Sequence, residues 1–123
     1  TALREDRLEL QFLGEVPTFR PPTRDDARRL GKFSAWISQP TGMDINADGT
    51  LAAIITYRSL YLYARQEGQS WAEAFRQPPR EFLGPRSQDE EAIAFTPSMD
   101  ALLISTEGHP APIYRAALPP PGD

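Results

Sequence analysis

The sequence contains no cysteine, which excludes disulfides, thiolate metal sites and a cysteine nucleophile. It holds a single histidine, His109, and so has no His-rich metal spacing. No apolar run approaches the ~18 residues of a membrane-spanning helix, so no membrane span is expected. No basic n-region followed by an apolar h-region marks a secretory signal. Positive charge is outweighed: the formal net charge of −4 argues against non-specific binding to nucleic acid or anionic membranes. A Gly-rich phosphate loop, H-E-x-x-H and G-x-S-x-G are all missing. The carboxylate pair of a glycosidase cannot be singled out among 17 acidic residues.

What is present suits one domain. The chain has 123 residues, 40% of them hydrophobic and 24% charged, enough to form a core. Its 13 prolines are about double the usual share and cut the chain into short pieces, which favours strands and turns over long helices. The chain opens on Thr1 rather than methionine, as expected of a processed chain or a fragment.

Read in order, Leu8, Leu10 and Phe12 alternate with Glu9 and Gln11, which predicts a half-buried strand over 8–13 ending near Gly14. Thr23 with Asp26 three residues on is a capping box, predicting a helix over 24–30 closed by Gly31. Lys32 to Trp36 reads as extended, with Phe33 and Trp36 as packing residues. Residues 42–64 read as a three-strand meander. Met43 and Ile45 alternate around Asp44, Asn46-Ala-Asp-Gly49 makes a turn, and two apolar strands follow. Ser70 and Glu73 form a second capping box, opening a short helix stopped by Pro78 and Pro79. Strands are predicted at 80–83, 92–95, 101–105 and 113–116, with a frayed proline-rich tail from Leu118.

The second half repeats the first. Ile93 falls on Met43, Phe95 on Ile45, Ile104 on Ile54 and Thr106 on Thr56. With one gap, Ile113-Tyr114-Arg115 falls on Leu62-Tyr63-Ala64. Phe12-Leu13-Gly14 echoes Phe82-Leu83-Gly84. Four short strands per ~40–50 residues is the spacing of a propeller blade. A Greek-key sandwich is the competing arrangement.

Thr41-Gly-Met-Asp-Ile-Asn-Ala-Asp-Gly49 resembles the strand–S-P-D-G–strand hairpin of bacterial propeller repeats, and Ala94-Phe-Thr-Pro-Ser98 resembles a degenerate second copy. Glu91-Ala-Ile-Ala-Phe95 resembles the inner strand of gluconolactonase-like, NHL-like and phytase-esterase-like propellers. The resemblance covers about residues 40–116. It implies an all-β fold of antiparallel four-stranded blades, about two to three of them, with two short helices in the connections. The implied division is the end of a preceding blade plus an insertion over 1–40, blades over 41–84 and 85–118, and a tail over 119–123. Two or three blades do not close a ring of about four to eight. The expectation is therefore a fragment of a longer propeller or a homo-oligomer that completes the ring. Many such propellers are extracytoplasmic, so the resemblance implies a periplasmic or secreted bacterial protein.

The candidate ligand-binding residues are Tyr57, Arg58, Glu91 and Glu107. Tyr57-Arg58 and Glu107 occupy matching places after the second strand of each copy, and Arg58 could pair with an anion. Glu91 takes its place from the resemblance, which sets a metal-binding Glu at the comparable position. By residues alone, Asp89-Glu90-Glu91 is a solvated acidic loop. A divalent cation such as calcium is the cofactor the resemblance allows. Asp44-x-Asn46-x-Asp48-Gly49 matches the first half of a calcium loop. Its twelfth position is Ile55 where an EF-hand needs Glu, so the stretch reads as a turn. His109 reads as a surface residue, and Arg20, Arg24, Arg28 and Arg29, interleaved with Asp25 and Asp26, as a solvated helix face. No catalytic residue is assigned. The expected function is a binding or interaction scaffold of unknown ligand. The alternative is a metal-dependent hydrolase of the lactonase or phosphoesterase kind, sited at the propeller channel.

Overall fold

The computed structural model describes residues 7–83 and 90–120, the side chains of Glu90 and Glu91 excepted. Strands β1 (Pro40–Ile45), β2 (Leu51–Thr56), β3 (Ser59–Ala64) and β4 (Arg80–Leu83) form an antiparallel sheet in chain order. Strands β5 (Glu90–Phe95), β6 (Ala101–Thr106) and β7 (Ile113–Ala117) form a second. Helices α1 (Arg24–Leu30) and α2 (Trp71–Ala74) lie in the connections, and a 3-10 helix spans Gly31–Trp36.

The first hairpin of each sheet is built on one plan with exchanged chemistry. Between β1 and β2, the buried Asn46 accepts from the Thr50 and Leu51 amides, both at 3.0 Å, and Gly49 takes the left-handed conformation at φ 73°. Between β5 and β6, Thr96 stands where Asn46 does, its hydroxyl accepting from the Ala101 amide at 3.2 Å. In the first turn the Thr50 hydroxyl donates to the Asp48 carboxylate; in the second the Ser98 hydroxyl donates to Asp100. Hydroxyl and carboxylate have traded places. Each set of donors holds its carboxyl, Asp48 or Asp100, below the usual carboxylate range.

Met99 occupies the place of Gly49, at φ 61°. A side chain there crowds the following carbonyl, at a cost of roughly 1–2 kcal/mol. Met99→Gly removes that strain but frees the unfolded chain. The net expectation is a gain of about 0.5–1 kcal/mol in denaturant unfolding. A loss would mean that the methionine side chain contributes more by packing than its backbone costs.

Register makes the repeat explicit. Met43 pairs with Ile54 and Ile54 with Tyr61; Ile93 pairs with Ile104 and Ile104 with Tyr114. Both first strands carry an irregularity at the same place, between Pro40 and Gly42 and between Glu90 and Ala92. Tyr114 is thus the counterpart of Tyr61, two positions earlier than the sequence alignment set it against Tyr63. The β2–β3 connection is short, residues 57–58, and the β6–β7 connection is longer, residues 107–112. Tyr61 and Tyr63 alternate onto one face, so a two-residue slip preserves the pattern.

The two copies stack in the same sense. Ala53, Ile55, Leu60 and Leu62 from one face of the first sheet meet Ile93, Leu102 and Ile104 of the second, and Phe82, Phe95 and Leu118 close the cluster. The opposite face of the first sheet carries Ala52, Ile54, Tyr61 and Tyr63. It is covered by Val16 and Phe19 of the N-terminal segment and by Trp71 and Phe75 of the α2 region. Ile54 and Ile104 hold equivalent register positions, yet Ile54 points away from the shared core and Ile104 into it. A pair of sheets related by a two-fold axis would point both inward. Here one sheet follows the other head to tail, with β1 packed against β5. The Asp44 carboxylate bridges these two strands by accepting from the Phe95 amide at 2.7 Å.

Four expectations are corrected. Residues 8–13 form no strand: Leu8, Leu10 and Phe12 are 92, 91 and 81% exposed. Alternation is a local signal, and a strand also needs a neighbour to bond, which this segment does not find within the described chain. Lys32–Trp36 is not extended but 3-10 helical; the i, i+3 spacing sets Phe33 and Trp36 edge to face at 5.3 Å. The tail is tied down at its start. The Leu118 amide donates to Asp100 O at 2.9 Å, and the Pro120 carbonyl accepts from Arg80 at 2.9 Å. The fourth is blade size: the second sheet has three strands among the described residues.

Candidate functional site

The first strand of each sheet enters, and the second strand leaves, at one shared end. Pro40 lies opposite Thr56 and Glu90 opposite Thr106, so each irregularity flanks the connection that follows the second strand. Tyr57 and Arg58 therefore sit at the same end of their sheet as Glu107 and the Glu91 backbone do of theirs. Glu91 corresponds to Thr41, the extra residue of the irregularity, whose hydroxyl donates to Ile55 O at 3.3 Å. Such bulges re-aim a side chain out of the pleat. The Glu91 side chain itself lies outside the described residues, as does Asp89.

Thr56 makes the tight connection at 57–58. Buried, its hydroxyl accepts from the Arg58 and Ser59 amides at 3.2 and 3.0 Å and donates to Ser59 O at 3.1 Å. A short polar side chain that satisfies the turn's own backbone is what allows so abrupt a reversal beneath the surface. Its counterpart Thr106 donates to Glu107 O at 3.3 Å.

Arg58 does not reach solvent with its charge. Its guanidinium pairs with Asp26 of α1, and the two side chains are 10 and 1% exposed. Asp26 also accepts from the Thr23 amide at 2.7 Å and from Arg29 at 3.0 Å. The Thr23 hydrogen bond and then the Arg58 guanidinium hold its carboxyl well below the usual carboxylate range. The expected capping box is present, and the same carboxylate reaches across to the sheet. The Arg58 amide donates to Ile37 O at 3.1 Å, fixing the chain after the 3-10 helix to the same connection. Among the described residues, the buried Arg58 Nε and Ser59 Oγ meet no hydrogen-bond partner. The anion that Arg58 was expected to meet is thus supplied by the chain itself.

The remaining candidates separate. Arg29 also pairs with Asp25, and Arg20 with Glu81 at 3.4 Å, so these two arginines of the cluster meet carboxylates. His109 is exposed. Asp44 serves the Phe95 amide while Asn46 and Asp48 serve the turn, so each residue of the calcium-like triplet makes a structural hydrogen bond. Among the described residues, no three or more His, Asp or Glu side chains gather as a metal site. Sequence reasoning missed Asp26 as a partner for Arg58. The capping pattern marks its helical role, but nothing local marks a pairing across 32 positions.

Two concave surfaces accompany the loops. One, between Glu15, Val16, Phe19, Pro40, Met43 and Ile54, opens beside β1 on the face away from the second sheet. The other, lined by Asn46, Thr50, Pro78, Arg80, Met99 and Leu118, lies at the opposite strand end.

These elements define a mostly β chain of two antiparallel sheets stacked head to tail, with short helices in the connections. No helix is long and apolar enough to cross a membrane among the described residues. No protein-family model, curated protein or solved structure matches the chain.

Proposed function

We propose that this chain is part of a β-propeller-type scaffold that binds a partner molecule through the connections at one strand end. The supporting observation is the head-to-tail relation of two register-matched sheets. Successive blades of a propeller repeat in this sense, so equivalent loops recur on one face. That recurrence puts Tyr57 and Glu107 in equivalent places, next to the irregularity that carries Glu91. Arg58 serves this face indirectly: its ion pair with Asp26 holds the connection that presents Tyr57. Binding residues set on loops over a rigid sheet are the usual division of labour.

A fragment-cocktail screen read by amide correlation spectra tests the reading. Shifts should cluster at 41–42, 57–58, 91–92 and 107–109. Hits confined to the groove around Pro78, Arg80 and Met99 would place the binding surface at the other end and overturn it.

A further inference from the structure

We infer that residues 8–13 of one copy add to the β7 edge of a second copy as the fourth strand of its three-stranded sheet. Strand β7 bonds only β6 among the described residues and so presents an open row of backbone donors and acceptors. The corresponding edge of the first sheet is occupied by β4, with Phe82 opposite Leu60 and Arg80 opposite Leu62. Phe12-Leu13 repeats Phe82-Leu83, and the counterpart of Leu60 in β7 is Ile113. Transferring the β3–β4 register sets Phe12 opposite Ile113, Leu10 opposite Arg115 and Leu8 opposite Ala117. Phe12 then lies diagonal to Arg115, as Phe82 does to Leu62, and within reach of its guanidinium.

Both halves of this contact are exposed. Phe12 is 81% and Ile113 71% exposed, and Leu103, beside Ile113 on the same face, is 41% exposed. That face is the repeat of one already buried. Leu103, Ser105, Ile113 and Arg115 hold the register positions of Ala53, Ile55, Leu60 and Leu62, which meet the second sheet within the chain. In the transferred register Phe12 of the added strand falls on that exposed face, beside Ile113.

The segment is placed for a neighbour rather than for its own sheet. A side-chain carbon at Gly14 would lie 3.1 Å from Ala72 Cβ, so the chain at residue 14 rests against α2. Val16 and Phe19 then pack on the face of the first sheet that points away from β7. Residues 8–13 reach about 20 Å when extended, and stacked sheets lie about 10 Å apart, so the path to its own β7 is spent in rounding the first sheet. Added to a second copy, the segment joins like to like, head to tail. The contact is small beside the roughly 1,200–2,000 Å² of stable interfaces, so association should appear in the micromolar range and depend on concentration.

Sedimentation of the chain from low to high micromolar concentration tests this, with two single variants. Phe12→Lys charges the segment and Ile113→Lys charges the edge. Both positions are exposed, so the unfolding midpoint at low concentration should stay unchanged, and that measurement checks folding. The wild type should associate, and each variant alone should do so about tenfold or more weakly. A mixture of the two variants should form a one-to-one pair and stop there, because one retains its edge and the other its segment. A wild type that stays monomeric throughout overturns the inference. So does association lost in Ile113→Lys but kept in Phe12→Lys, which would mean that the β7 face pairs with itself.

Discussion

Asp26→Ala is expected to lower unfolding stability by about 2–3 kcal/mol. Removing the carboxylate takes from the Arg58 guanidinium, 10% exposed, the anion that pairs with it. Losing one partner of a buried pair costs about 3–5 kcal/mol in a deep interior. The Arg58 side chain keeps 10% of its surface exposed, so the penalty falls below that range. Loss of the bond to the Thr23 amide is part of the effect, since an unmade helix cap costs ~1 kcal/mol. The double variant Asp26→Leu with Arg58→Met removes both charges and should recover much of the loss, which an additive pair would not do. Chemical denaturation of the wild type, both single variants and the double variant reads this coupling.

The same group sets an acid limit. The folded-state pKa of Asp26 is depressed, first by the Thr23 amide and then by Arg58. Its stabilisation is therefore fully present above the ordinary aspartate value of about 3.9 and fades as pH falls from there toward the lower folded value. Between neutral pH and about pH 3 the wild type should lose more stability than the charge-free double variant. Parallel acid curves would remove Asp26 from the explanation.

Ile104→Ala should cost about 2–5 kcal/mol, because the side chain is 5% exposed in the cluster that joins the sheets. Its partners in a mutant cycle separate two architectures. Ile55 shares its cluster, so Ile55→Ala and Ile104→Ala should couple by about 0.5 kcal/mol or more. Ile54 lies on the far face with Tyr61 and Tyr63, so Ile54→Ala should add to Ile104→Ala within about 0.3–0.5 kcal/mol. Coupling of the Ile54 pair would mean that both residues face one core, as in a two-fold sandwich.

Much of the strand pattern was legible because its signals are short-range. Asn46 to Gly49 fixes a turn by its own hydrogen bonds, and Thr23 with Asp26 starts a helix within one turn. Residues 51–55 are apolar throughout because both faces of β2 are covered, one by the second sheet and one by the N-terminal segment and α2. What failed depends on partners. Leu8 to Leu13 carries strand periodicity without a strand to bond among the described residues. The β7 alignment slipped because tyrosines two apart share a face. The pairing of Arg58 with Asp26 is not legible in the sequence, because their relative position is set only when α1 folds onto the sheet. The matched ends of the two sheets were visible in the repeat; the sense of stacking was not, since alternation marks two faces without saying which one meets a neighbour.

The most direct test of the head-to-tail arrangement is a methyl nuclear Overhauser measurement on a sample with labelled isoleucine and leucine. Cross-peaks are expected from Ile104 to the Ile55, Leu60 and Leu62 group, and from Ile54 to the rings of Phe19 and Tyr61, with none between Ile54 and any methyl of the second sheet. Cross-peaks joining Ile54 to Ile104 or Leu102 would contradict it, and with it the propeller-type scaffold proposed for this chain.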